Sequence, residues 1–169
     1  QQMTYDVITP NRLYNVSNAY NRKNQTAGFI SVTSYDSATG AWIDEEYFET
    51  DIVGYRLFAF PYKDMIVICT NDRVAFYGIG EENYGNKMGE ISFESGERVK
   101  GISSEPVLEF KINNDTLYRI CTPIATENNK VLPLIPAYYM PYEVFSCPVE
   151  DILNGTGQWE KAFSYEEVK

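Results

Sequence analysis

Histidine is absent from this 169-residue chain. That removes the commonest general base, the commonest zinc ligand and every Ser-His-Asp or Cys-His arrangement. Cysteine is sparse: Cys69, Cys121 and Cys147 lie far apart in apolar strand contexts, without the close CxxC spacing of a structural metal site. The sequence predicts buried free thiols there, with one disulfide plus a spare thiol as the alternative. No apolar run approaches the roughly 18 residues that a membrane-spanning helix needs. Basic residues are few, 14 Lys and Arg against 24 Asp and Glu, and the formal charge of −10 would repel a phosphate backbone or an anionic membrane surface. No GxxxxGK[ST] loop occurs, and Gly78-Ile79-Gly80 runs into Glu81-Glu82, whose charges oppose an anion. Nucleic acid, a membrane span, a cofactor and a metal are therefore not expected.

What is present is strand material. Apolar residues make up 44% of the chain and aromatic residues 15%, with fourteen Tyr, a composition that folds and does not stay disordered. The apolar stretches are short, rich in Val, Ile, Phe and Tyr, and bounded by Gly, Pro, Asn and Asp, which predicts strands near 4–9, 29–35, 42–48, 55–60, 65–70, 73–78, 90–93, 99–102, 107–112, 117–121, 131–135, 143–147 and 158–163. Pro61-Tyr62-Lys63-Asp64, Asn71-Asp72 and Asn113-Asn114-Asp115 read as hairpin loops. Positions 11–27 and 80–89 are polar and read as surface loops. Helical periodicity is confined to Pro148 through Gly155, with Pro where a helix starts and Gly where it stops.

Two phrases recur. Ile30-Ser31-Val32 leads to Thr39-Gly40-Ala41-Trp42, Ile91-Ser92-Phe93 to Ser95-Gly96-Glu97-Arg98, and Phe145-Ser146-Cys147 to Thr156-Gly157-Gln158-Trp159. Ile68-Cys69-Thr70 is echoed by Ile120-Cys121-Thr122. Repetition at near-constant period predicts a copied structural unit, with approximate repeats over 28–79, 88–140 and, in part, 143–169 of a single β-rich domain or repeat-array fragment.

The stretch Tyr35-Asp36-Ser37-Ala38-Thr39-Gly40-Ala41-Trp42 resembles the outer hairpin of a kelch-type β-propeller blade, and 149–159 repeats its Thr-Gly-x-Trp. The middle copy has Arg98 in the Trp position, and no Gly-Gly pair follows the inner strands. The resemblance implies an all-β fold of antiparallel, propeller-like blades; a β-sandwich or barrel is the alternative. Closed propellers use four to eight blades, so about three imply that the chain is part of a longer protein, that copies associate to complete the circle, or that another subunit covers the neighbouring edges.

Trp42 and Trp159 are candidate stacking platforms for sugar or peptide, weighed against the expectation that both pack between sheets. Tyr138, Tyr139 and Tyr142, on a Pro-rich segment that cannot be a central strand, form a second candidate contact surface. Asn15, Asn24, Asn114 and Asn154 begin Asn-x-Ser/Thr tripeptides in predicted loops, where glycans could attach. Carboxylates concentrate at Asp44-Glu45-Glu46, Glu81-Glu82 and Glu166-Glu167, and a solvated acidic face is favoured over a catalytic pair. The sequence thus favours a non-catalytic structural or binding module, extracellular or virion-associated, with a cytoplasmic setting kept open. A carbohydrate-active enzyme using two carboxylates and a lipocalin-like small-ligand binder are the alternatives.

Overall fold

A computed structural model describes residues 3–21, 26–53, 58–93, 107–121, 126–127, 130–131 and 143–164. The protein is all-β: three four-stranded antiparallel sheets and one small hairpin, with no closed barrel among the described residues. The lipocalin-like alternative therefore has no scaffold there. No helix among these residues is long and apolar enough to cross a membrane. The chain divides into two compact units, Gln1–Ser92 and Phe93–Lys169.

In the first unit, β1 (Met3–Ile8), β2 (Arg12–Asn21), β3 (Thr26–Asp36) and β4 (Phe48–Glu49) form one sheet in that order. The register aligns Val7, Tyr14 and Ser34 on one face and Ile8, Leu13 and Tyr35 on the other. The alternation is that of a sheet with one covered face. β2 overturns the expected loop at 11–27, because Tyr14 and Val16 alternate with residues that point away from the core.

β5 (Phe58–Tyr62), β6 (Met65–Cys69), β7 (Arg73–Gly78) and β8 (Lys87–Ser92) form the second sheet, again in chain order. All five residues of β6 are buried, the continuous apolar run of a strand covered on both faces. Ile66, Ile68, Ala75 and Tyr77 join Val7, Tyr14, Val16, Ile30, Val32 and Ile52 in one core, so the first two sheets pack against each other. Burial of each Ile or Val contributes about 1.5–3 kcal/mol.

The expected strand at 42–48 is different. Trp42 makes only an isolated bridge to Tyr35, Asp44–Glu46 form a turn of 3-10 helix, and β4 is two residues long. Three consecutive acids cannot alternate between core and solvent, and Glu46 is instead drawn to Arg12.

The second unit pairs β9 (Val107–Asn113), β10 (Thr116–Cys121), β13 (Glu143–Pro148) and β14 (Glu160–Ser164), with a hairpin of β11 (Thr126–Glu127) and β12 (Lys130–Val131) between β10 and β13. Asn114 and Asp115 turn β9 into β10 with φ of 49° and 58°, the left-handed pair that a two-residue hairpin loop favours. The predicted helical turn is α1 (Val149–Leu153), which buries Val149 and Ile152 and ends at Gly155, with φ 76°. Cys69, Cys121 and Cys147 are buried free thiols.

The Ile-Cys-Thr phrase falls at the end of the second strand in two sheets, at β6 and β10. The apolar-Ser-apolar phrase falls in β3 and β13, third strands of their sheets by chain order, but at the end of β8, a fourth strand. The expected strand at 99–102 lies outside the described residues, as do Ser95 and Gly96.

Candidate binding surfaces

The first unit carries a polar groove of about 660 Å3. Its floor is organised by an ion pair between Arg12, at the start of β2, and Glu46, in the 3-10 turn: Nε donates to Oε2 at 3.0 Å and Nη2 to Oε1 at 3.0 Å. The Ser34 hydroxyl donates to the same carboxylate, and the Tyr84 hydroxyl donates to the Glu46 carbonyl oxygen at 2.7 Å. The Arg12 guanidinium holds the Glu46 carboxyl below the ordinary carboxylate range. Two planar charged groups joined bidentately are held firmly in orientation. Glu46 was a natural choice for one half of a glycosidic acid pair, but a general acid needs a raised pKa, and this geometry enforces the opposite.

Tyr14 stands beside this pair. Its ring belongs to the core and the residue is 3% exposed, yet it lines the groove. Burial raises the pKa of its hydroxyl and the Glu46 charge adds to the rise, so the phenol stays protonated. Glu45, Asp64 and Glu81 line the same groove together with Lys63.

A second surface is apolar. Ile8, Leu13 and Tyr35 are directly paired across β1, β2 and β3, and Tyr35 is bridged to Trp42, so the four occupy one row on the side of the sheet away from the core. Ile8 is 73% exposed and Trp42 60%. The row borders a shallow cleft of about 340 Å3 that Asp36, Ser37 and Gly40 complete. Asp36 shapes the turn: its Oδ1 accepts the backbone N–H groups of Ala38 and Thr39, each at 2.9 Å, and Gly40 supplies φ 72°. The expectation that Trp42 packs between sheets is thus corrected, because the tight Asx turn leaves its indole at the sheet margin.

Trp159 has different surroundings. It is half-buried and stacks 4.8 Å from the Arg119 guanidinium, which also lies 4.6 Å from the Phe93 ring and 4.5 Å from that of Phe145. Trp159 meets Phe93 edge-on at 6.2 Å. Arg119 is 9% exposed, so this is a packed cation-aromatic cluster and not an open platform.

Of the sequon residues, Asn114 and Asn154 are exposed, in a hairpin turn and at the C-cap of α1. Asn15 sits within β2, not in a loop, and its Nδ2 donates to Asp6 Oδ1 at 3.0 Å. Asn24, Tyr138, Tyr139 and Tyr142 lie outside the described residues. The structure unites residues that sequence reading left unassigned, above all Arg12, Tyr14, Tyr84 and the row partners Ile8, Leu13 and Tyr35. The strand alternation of Leu13 through Val16 was the available signal.

No protein-family model matches the chain, and no curated protein matches it in sequence. Among solved structures it is similar to the acylaminoacyl peptidase of Pyrococcus horikoshii, with a TM-score of 0.53 and 10% sequence identity. The match covers 98% of this chain and 25% of that one, so the chain spans about a quarter of the peptidase's length. At that identity the likeness is one of fold alone.

Proposed function

We propose that this chain is a non-catalytic binding or structural module made of propeller-like blades, working against protein neighbours in an extracellular or virion-type assembly. The observation that carries the reading is the apolar row of Ile8, Leu13, Tyr35 and Trp42, half-buried at Leu13 and Tyr35 and exposed at its two ends. Isolated exposed apolar side chains are ordinary, but four aligned on adjoining strands form a contiguous apolar strip of the kind found at contacts. The Asp36 turn and the Tyr35–Trp42 bridge support a blade-like outer hairpin, in which the aromatic covers the adjacent blade.

The first two sheets already stack face to face, and the proposed neighbour of the row is a sheet of a second copy. Sedimentation velocity tests this. The wild-type chain should associate, and Ile8→Ser combined with Trp42→Ser should shift it to monomer without lowering its melting temperature. A wild-type chain that stays monomeric to about 200 μM, an association weaker than about 5 kcal/mol, overturns the reading. A peptidase-like activity does not follow from the fold likeness, and a chain without histidine cannot build a Ser-His-Asp triad.

A further inference from the structure

We infer that Asn154 is a covalent modification site, at which the chain converts its own side-chain amide into an aspartyl or isoaspartyl link, and that the end of α1 controls when it does so. The inference goes beyond the reading of the chain as a binding module and does not depend on it.

The reaction is set up by two adjacent residues. Of the 13 Asn in the chain, Asn154 is the one followed by Gly. The Gly155 backbone nitrogen attacks the Asn154 side-chain carbonyl carbon; a C–N bond forms, the proton of that nitrogen passes to the departing amide, and ammonia leaves. Water then opens the five-membered imide at either carbonyl, giving aspartate or the β-linked isoaspartate. Water is the one co-reactant, and nothing is oxidised or reduced. A Cβ on the following residue crowds the attacking nitrogen, and glycine has none. Asn154, Gly155 and Thr156 are all exposed, so water reaches the site.

The fold holds this reaction back. Ring closure needs the Gly155 nitrogen eclipsed with the Asn154 Cβ, but a ψ of −3° eclipses it with the Asn154 nitrogen instead. The surrounding donors fix that angle: Gly155 N–H donates to the Ile152 carbonyl at 3.1 Å, Asn154 N–H to that of Glu150 at 3.0 Å, and Thr156 N–H to that of Asp151 at 2.8 Å. Ile152, 1% exposed, anchors the cap, and a Cβ on Gly157 would lie 3.1 Å from its Cγ1, so the returning chain closes down on it. The reactive geometry is therefore reached by opening the end of α1, and the native rate is the unfolded rate multiplied by the open fraction. An isoaspartate adds one backbone atom between residues 154 and 155, so the cap bonds to Asp151 and Ile152 cannot all re-form. An opening that reacts is recorded permanently in the second unit.

Tryptic mapping of the full chain after incubation in mildly alkaline buffer tests this, with and without urea above the unfolding midpoint. Residues 131–161 form one tryptic fragment, in which Asn154 is the sole Asn. In urea, Asn154 should lose its amide faster than any other Asn, with exposed Asn114 as the comparator, and give two products separable by chromatography. Without urea the loss should be at least about tenfold slower. Ile152→Val, which removes one buried methyl group and keeps the fold, should speed the native reaction about fivefold and leave the rate in urea unchanged. Isolated isoaspartyl protein should melt below Asn154→Asp, which carries the same charge without the added atom. The inference is overturned if another Asn reacts first in urea, if the native slowing falls short of tenfold, if Ile152→Val leaves the native rate unchanged or speeds both rates alike, or if the isoaspartyl protein melts with Asn154→Asp.

Discussion

The Arg119 cluster offers a measurable test of what holds the second unit together. Three aromatic rings lie within 4.5–4.8 Å of one guanidinium that is 9% exposed. A desolvated cation-aromatic contact contributes up to about 2 kcal/mol, and three on one group are not additive. Arg119→Ala should therefore cost about 3 kcal/mol, combining lost contacts with the space left between the rings. Arg119→Lys keeps the charge but gives up the planar face that stacks on the rings, and should cost about 1–2 kcal/mol. Arg119→Met fills most of the volume and adds sulfur-aromatic contacts, so it should recover more than half of the alanine loss. With a urea slope of about 2 kcal/mol/M, the alanine variant should shift the unfolding midpoint by about 1.5 M. Trp159 fluorescence reports the transition locally because its indole is part of the cluster. A double-mutant cycle pairing Arg119→Ala with Phe145→Leu should give a coupling of about 1 kcal/mol. A lysine variant as stable as wild type, together with a coupling below about 0.3 kcal/mol, would refute the claim that the guanidinium face organises these rings.

Gly78→Ala should destabilise the first unit by about 3 kcal/mol in denaturant melts, since a Cβ there would lie 2.2 Å from the Asn83 carbonyl oxygen, and a backbone atom yields little. Gly40→Ala should cost only about 1–2 kcal/mol: φ is 72° but no atom lies within 4 Å of the added carbon. For Glu46 the native carboxyl is held below its ordinary 4.5, so its stabilisation is complete above that pH and fades as pH falls through the native value. Thermal melts of Glu46→Gln and wild type should accordingly differ at pH 7 and converge as pH drops towards about 2.

Much of this architecture was legible where local chemistry decides. The Asn114-Asp115 turn, the Pro148-to-Gly155 helical turn and the all-buried run of β6 each follow from a few adjacent residues. Strand β2 was hidden because Asn15, Asn18 and Asn21 give it the composition of a loop, although Tyr14 and Val16 already marked the core-facing positions. The region after Trp42 failed for another reason. Glu46 is positioned by Arg12, 34 residues earlier, and no window around Glu46 contains that partner. The groove was invisible for the same cause, as Tyr14, Glu46 and Tyr84 converge only when two sheets pack. Trp42 and Trp159, which share a Thr-Gly-x-Trp context, end in opposite surroundings because only Trp159 has a guanidinium within stacking range.

The three concealed thiols give the molecule an internal clock. Cys69 lies in one compact unit, while Cys121 and Cys147 lie in the other. With a sulfhydryl dye in dilute denaturant, a mass gain of a single label would time the release of the first unit, and a gain of two labels that of the second. No engineered tag is needed, because the unmodified chain reports which half lets go first.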